Sequence, residues 1–308
     1  MKNYNIGKII TQVELSGQNA ATVHWSEHLS GVCHARLLLY DAVRPESPDG
    51  RLHTSLHGEK INRLLKGAMA RLVDLGKNLK KAHKIGYSVE MSGDWNTFIQ
   101  QAGAEQADLL VAGLPRAGQR LPGRITALMY NSPCPVLFAR PEMKPEPGKK
   151  IMVPVRLSEG LEEKIPVVVA LARALGAPVI LSAFVADDSP ASERLRLFKL
   201  QEDMARALAD EGIVAECETA HGYHFGTTML ERARQTGAGL MVIGVEPGNF
   251  ASRLFTKMVG PFFLENTCLP VLSVPLRRDG RPRQPSTPPG RVTRPVYDGL
   301  FPLSPVKH

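Results

Sequence analysis

The sequence predicts two tandem doubly wound α/β domains, each built on a five-stranded parallel sheet. Three observations carry that prediction. First, the chain repeats itself: ADLLVAG at 107–113 is answered by AGLMVIG at 238–244, each preceded by a helix-like stretch in the same register, at an offset of 131 residues. CPVLFARP (134–141) is answered by LPVLSVPL (269–276), and KIITQVELS (8–16) by KIMVPVRLS (150–158). Second, the short apolar runs are nearly continuous rather than alternating, as in strands buried on both faces. Third, these runs alternate with segments of helical periodicity, the pattern of βαβ crossovers.

The second copy is the clearer one. IMVPV (151–155) reads as a strand, followed by a helix over roughly 159–175 and then APVILSAFV (177–185). Leu197, Leu200, Met204, Ala207 and Leu208 recur at helical spacing. VAECETA (214–220), a helix carrying Met229 and Leu230, GLMVIG, a helix over about 251–265 and PVLSV complete it. The first copy repeats this order, its long helix carrying Ile61, Leu64, Leu65, Ala68, Met69 and Leu72. The expected boundaries are 1–140 and 150–276 for the two domains. Between them, PEMKPEPGK (141–149) reads as a stiff, solvated linker, with three prolines in nine residues.

Residues 277–308 form a tail with seven prolines, and they carry seven cations against two acids, or +5 of the chain's net +8. The body is therefore close to neutral, and the tail is expected to be disordered in isolation. No run approaches ~18 consecutive apolar residues, which excludes a transmembrane helix. The N-terminal segment lacks an apolar core of roughly 7–15 residues, so no signal peptide is read. Four dispersed cysteines (Cys33, Cys134, Cys217 and Cys268) show no metal spacing, suit a reducing cytoplasm and are expected to be buried small hydrophobes.

ADLLVAG with its Gly-containing loop, helix and PCPVLFAR, together with the second copy's AGLMVIG and CLPVLSVP, resembles the C-terminal half of a universal stress protein domain. The resemblance spans 1–276 as two tandem domains. It implies a flavodoxin-like (adenine-nucleotide alpha hydrolase-like) fold of strand order 3-2-1-4-5, with domains paired through their fifth strands. Some members of that family bind ATP or another adenine nucleotide; others do not. The binding members carry a G-x-x-G step, a spacer, then G-S or G-T, with an acid ending the first strand. Bare backbone lets N–H groups approach phosphate at a helix N-terminus.

Both copies depart from that pattern. In the first, Gly113 is followed by Leu114, Pro115 and Arg116, Gly118 is misplaced, Gly123 precedes Arg124, and the acid survives as Glu14. In the second, Gly244 is followed by Val245, Glu246 and Pro247 before Gly248, Lys257 and Met258 stand at the later Gly-Ser/Thr step, and the acid position is Arg156. Pro115 and Pro247 remove N–H donors, and Glu246 puts negative charge where phosphate would sit. The expectation is that neither copy keeps the usual ATP site. Arg116, Arg120 and Arg124 could still meet an anion through their side chains.

Other candidates are weaker. His221 and His224 lie at the end of the second copy's third strand, and His53 and His57 at i, i+4 before the long helix; neither pair has a third ligand, and both read as solvated. Trp95, beside Asp94, reads as a hydrophobic staple at the start of a helix. The last strands would each be an apolar edge, and pairing them across the duplication near Val136, Phe138, Val271 and Ser273 would cover both. In the tail, Arg277, Arg278, Arg281 and Arg283 could meet nucleic acid or acidic membrane by charge. The apolar island containing Tyr297, Leu300 and Phe301 could dock on a groove of a partner or of the body.

The resulting reading is a non-enzymatic stress-response or regulatory binding protein, an intrachain pseudo-dimer that holds no cofactor. Alternatives are an adenine-nucleotide sensor with slow ATP hydrolysis, and a tail-mediated adaptor for a protein, nucleic-acid or membrane partner. A homodimer is a further expected association.

Overall fold

The computed structural model describes residues 4–13, 20–43, 58–91, 95–157, 163–246, 259–276 and 297–298 of the 308-residue chain. Its first half runs β1 (Lys8–Gln12), α1 (Ala20–Cys33), β2 (Arg36–Val43), α2 (Gly58–Lys77), β3 (Lys84–Met91), α3 (Trp95–Ala104), β4 (Leu109–Gly113), α4 (Gly123–Asn131) and β5 (Val136–Ala139). The second half runs β6 (Ile151–Val155), α5 (Lys164–Leu175), β7 (Val179–Ala186), α6 (Ala191–Asp210), β8 (Ala215–Gly222), α7 (Phe225–Gln235), β9 (Leu240–Val245), α8 (Val259–Asn266) and β10 (Val271–Pro275). A short strand of the tail, β11 (Tyr297–Asp298), follows.

The apolar runs are strands because both of their faces are covered. Along β2, Leu37 and Leu39 point into the layer that holds α1, α2, α5 and α6, while Leu38 and Tyr40 point into the layer that holds α3, α4, α7 and α8. Period-two alternation with helices on both sides hides every position, so no polar face is needed. Each fully buried Leu or Ile there contributes roughly 1.5–3 kcal/mol. Toward the two ends of the sheet, β3 and β8 are mostly half-exposed or exposed. Gly176, at φ 58°, ends α5 in the left-handed conformation and donates back to the carbonyl of Ala172.

Strand order is β11-β3-β2-β1-β4-β5-β10-β9-β6-β7-β8. Each half thus has the order 3-2-1-4-5, all parallel within the half. The two five-stranded sheets lie side by side in one sheet of eleven strands, β11 being the eleventh. The join is antiparallel: Val271 stands opposite Phe138, Leu272 opposite Leu137 and Ser273 opposite Val136. Since Val136, Leu137 and Phe138 correspond to Val271, Leu272 and Ser273 in the repeat, the pairing is self-complementary about Leu137 and Leu272, as across a two-fold axis. Two apolar edges, each a liability alone, cancel.

Two further expectations are corrected. The segment 141–149 is not wholly solvated: Met143 is buried, and its carbonyl accepts a hydrogen bond of 3.0 Å from Trp25 Nε1. Apolar surface left beside α1 draws the methionine in. Of the cysteines, only Cys134 is buried; Cys33 is intermediate, and Cys217 and Cys268 are exposed because edge strand β8 and the turn before β10 face outward. The helix expected over roughly 159–175 is described as α5 from Lys164, and residues 158–162 lie outside the described residues.

Candidate functional site

In an open α/β sheet, ligands bind outside the carboxyl ends of the strands where the chain order reverses. Here that happens twice, between β1 and β4 and between β6 and β9.

At the first crevice, β4 ends at Gly113, and in the loop to α4 the amides of Leu114, Arg116 and Gln119 are bonded within the protein. Leu114 N donates to Ala139 O at 2.8 Å, and Leu114 is buried. Pro115 has no N–H, and its carbonyl accepts from Arg140 Nη1. Arg116 N donates to Gln119 Oε1 at 3.2 Å, and Gln119 N returns to Arg116 O at 3.1 Å. Gly118 turns this loop at φ 80°. Gly123 starts α4 in open space, with Pro122 before it giving no side-chain cap. Arg116 and Arg120 are exposed and Arg124 is half-buried. Glu14 lies outside the described residues.

Beneath that loop, the carboxyl ends of β1 and β2 hold buried polar groups. Thr11 Oγ1 donates to Ser26 Oγ at 2.5 Å, and Ser26 Oγ donates to Thr22 O at 2.6 Å. Gln12 is buried, and among the described residues its Oε1 accepts no hydrogen bond. Tyr40 donates to Glu90 Oε2 at 3.2 Å; burial, with the Glu90 charge second, pushes its phenol far above the usual tyrosine range.

The second crevice is different. Arg156, just past β6, lies over the Phe225 ring, 4.6 Å from its centroid. Phe225 in turn meets Phe184 at 5.3 Å and Phe263 at 5.7 Å, both edge-on. A cation over an aromatic face is attracted by the ring quadrupole, so the guanidinium is held by the aromatic cluster. Lys164, fully buried at the start of α5, donates from Nζ to Pro154 O at 2.9 Å. Gly244 is half-buried in β9, and Gly248 lies outside the described residues. His221 and His224 are exposed. Trp95 begins α3, but its side chain, like Asp94, His53 and His57, lies outside the described residues. So do Arg277, Arg278, Arg281, Arg283, Leu300 and Phe301; of the tail candidates only the Tyr297 backbone is placed, opposite Tyr87.

Two functional-looking cations were invisible to motif reading. Arg140, at the end of β5, is buried and donates to Leu264 O and Glu265 O (both 2.7 Å) and to Thr267 O (3.3 Å). It ties the first half to the C-terminal turn of α8, whose last carbonyls lack helical partners and carry partial negative charge. Lys164 read as one polar position of an apolar helix. Among the described residues, no group of three or more His, Cys, Asp or Glu side chains could hold a metal, and no helix is long and apolar enough to cross a membrane.

The topology and its two switch points define a tandem doubly wound α/β protein. No protein-family model matches the sequence, and no curated protein matches it. Solved structures do. A universal stress protein from Archaeoglobus fulgidus DSM 4304 superposes with a TM-score of 0.66 at 12% identity, over 90% of this chain and 99% of that one. A protein of unknown function from Pseudomonas aeruginosa PAO1 gives 0.61 at 15% identity, over 88% and 93%. The chain has the tandem universal stress protein fold.

Proposed function

We propose that this chain is a tandem universal-stress-protein-like regulatory binding protein, with domains at 1–140 and 150–276, a linker at 141–149 and a basic tail at 277–308. It acts without catalysis and without the family's usual ATP site. The observation that carries this is the β4–α4 loop: Leu114 and Arg116 donate their amides within the protein and Pro115 has none to give. A phosphate cradle needs those donors free. In the second half, Arg156 stands where the nucleotide-binding pattern has an acid, and its guanidinium is already stacked on Phe225.

The test is direct. Purified full chain is denatured, the supernatant is assayed for adenine nucleotide, and ATP with Mg²⁺ is titrated by calorimetry. The expected outcome is no stoichiometric nucleotide and no saturable heat. Stoichiometric nucleotide from either measurement overturns the proposal.

One observation favours a second reading, an adenine-nucleotide sensor using the first crevice. Gln12 Oε1 is a buried acceptor without a partner among the described residues, at the strand end where a ribose hydroxyl could donate to it. In that case ATP binds, and Gln12→Ala weakens binding at least about tenfold, the effect of losing a hydrogen bond worth about 1.4 kcal/mol.

A further inference from the structure

The repeat leaves two outer sheet edges but only one tail. The edge of β3 is paired: Tyr297 lies antiparallel opposite Tyr87, and Asp298 opposite Gly86. The other outer strand, β8, pairs with β7 and ends the strand order, its outer edge unpaired among the described residues.

β3 and β8 are equivalent positions. Lys8 answers Lys150 in the repeat, so Ile9 answers Ile151 and their partners Leu37 and Val179 answer each other. Leu37 pairs with Ile85 on β3, and Val179 with Ala215 on β8. Gly86 therefore corresponds to Glu216, and Tyr87 to Cys217. A tail strand moved from β3 to β8 in the same register sets Tyr297 opposite Cys217 and Asp298 opposite Glu216. Continued antiparallel, it sets Leu300 opposite Val214 and Phe301 opposite Ile213.

The surface beside β8 suits apolar residues. Val214 is 71% exposed, an unusual state for a valine. Ile213, Val214 and Ala215 line an open groove of about 540 Å³ together with Ala205 and Ala209 of α6. The same face of α6 continues at three- and four-residue spacing to Phe198, 41% exposed, and Leu195, 71% exposed. A strand added to β8 gains main-chain hydrogen bonds from the open edge and side-chain burial from this stripe.

We propose that the tail of a second copy of this chain adds as a strand to the β8 edge, with Leu300 and Phe301 over the Val214 groove. The association is heterologous, tail to edge, and can join two copies or propagate.

The register supplies the test. Within one chain, β11 and β8 stand at opposite ends of the sheet, ten strand spacings and roughly 48 Å apart. A disulfide between them must therefore join two molecules. The full chain is prepared as Cys268→Ser with Tyr297→Cys and oxidised mildly at several protein concentrations. The expected result is a disulfide-linked dimer on non-reducing gels, its yield rising with concentration. Adding Cys217→Ser should abolish it, and Val214→Lys should lower its yield at least about fivefold; these positions are exposed, and circular dichroism checks that the variants fold. Absence of the linked dimer overturns the proposal. So does a dimer that survives Cys217→Ser, which would be tail-to-tail, or one indifferent to Val214→Lys.

Discussion

Replacing Arg140 by methionine should destabilise the chain out of proportion to the side chain's size. Arg140 is buried and donates to the carbonyls of Pro115, Leu264, Glu265 and Thr267, which belong to the β4–α4 loop, to the last turn of α8 and to the turn before β10. Methionine keeps most of the stem's volume, so little cavity is created. Each lost charge-assisted bond is worth about 1.5–3 kcal/mol, and the carbonyls left behind in the interior are unsatisfied. Against this, the guanidinium gave up solvation costing several kcal/mol when it was buried, and that cost disappears with it. The net loss is about 3 kcal/mol, or roughly 6 °C of melting temperature for a chain of this length. Differential scanning calorimetry of wild type, Arg140→Met and Arg140→Lys measures it. Lysine offers three donors without the planar fork and should recover only part. A methionine variant melting within 1 °C of wild type would refute the assignment of Arg140 as the tie between the halves.

Other outcomes follow from local geometry. Gly76→Ala puts a Cβ 2.3 Å from Tyr87 Oη and 2.8 Å from the ring, forcing the ring off α2, and should cost about 1–3 kcal/mol in the same calorimetric assay. Titration with a thiol reagent at pH 8 should modify exposed Cys268 first in the native chain and Cys217 after it, because partial burial pushes the Cys217 thiol up. Cys134, whose thiol burial pushes up to about 12, should react only on unfolding, and Cys33, pushed up to about 11, should react slowly. His28 has its imidazole pKa lowered, first by burial and then by Lys81, with Glu27 opposing, and its Nε2 is buried without a partner among the described residues. The unfolded chain therefore binds this proton more readily than the folded one. The stability His28 contributes is complete above the unfolded value of about 6.5 and is lost as pH falls below it. Thermal melts from pH 7.5 to pH 5 should show that loss, and His28→Asn should reduce it.

Much of the architecture was legible in the chain because it rests on local, repeated signals. The apolar runs and the 131-residue offset identify strands and duplication, since a strand buried on both faces must be apolar throughout. The β4–α4 loop was legible in part, because Pro115 removes a donor in any conformation. The fate of the other amides was not, since Gln119 reaches Arg116 N only once Gly118 has turned the loop.

By itself the sequence determined two copies of one doubly wound unit, the altered glycine steps and a basic tail carrying most of the net charge. Only the tertiary structure decided the antiparallel register in which β5 meets β10, that Arg156 lies on Phe225, that Arg140 ties α8 to the first half, and that the tail pairs the outer edge of β3 while that of β8 is unpaired among the described residues. The physical reason is separation along the chain. Backbone propensity and burial pattern act over a few residues and can be read in order, whereas these contacts join groups up to more than two hundred residues apart. No local pattern encodes such a partner; it exists only once the packed sheet brings it near.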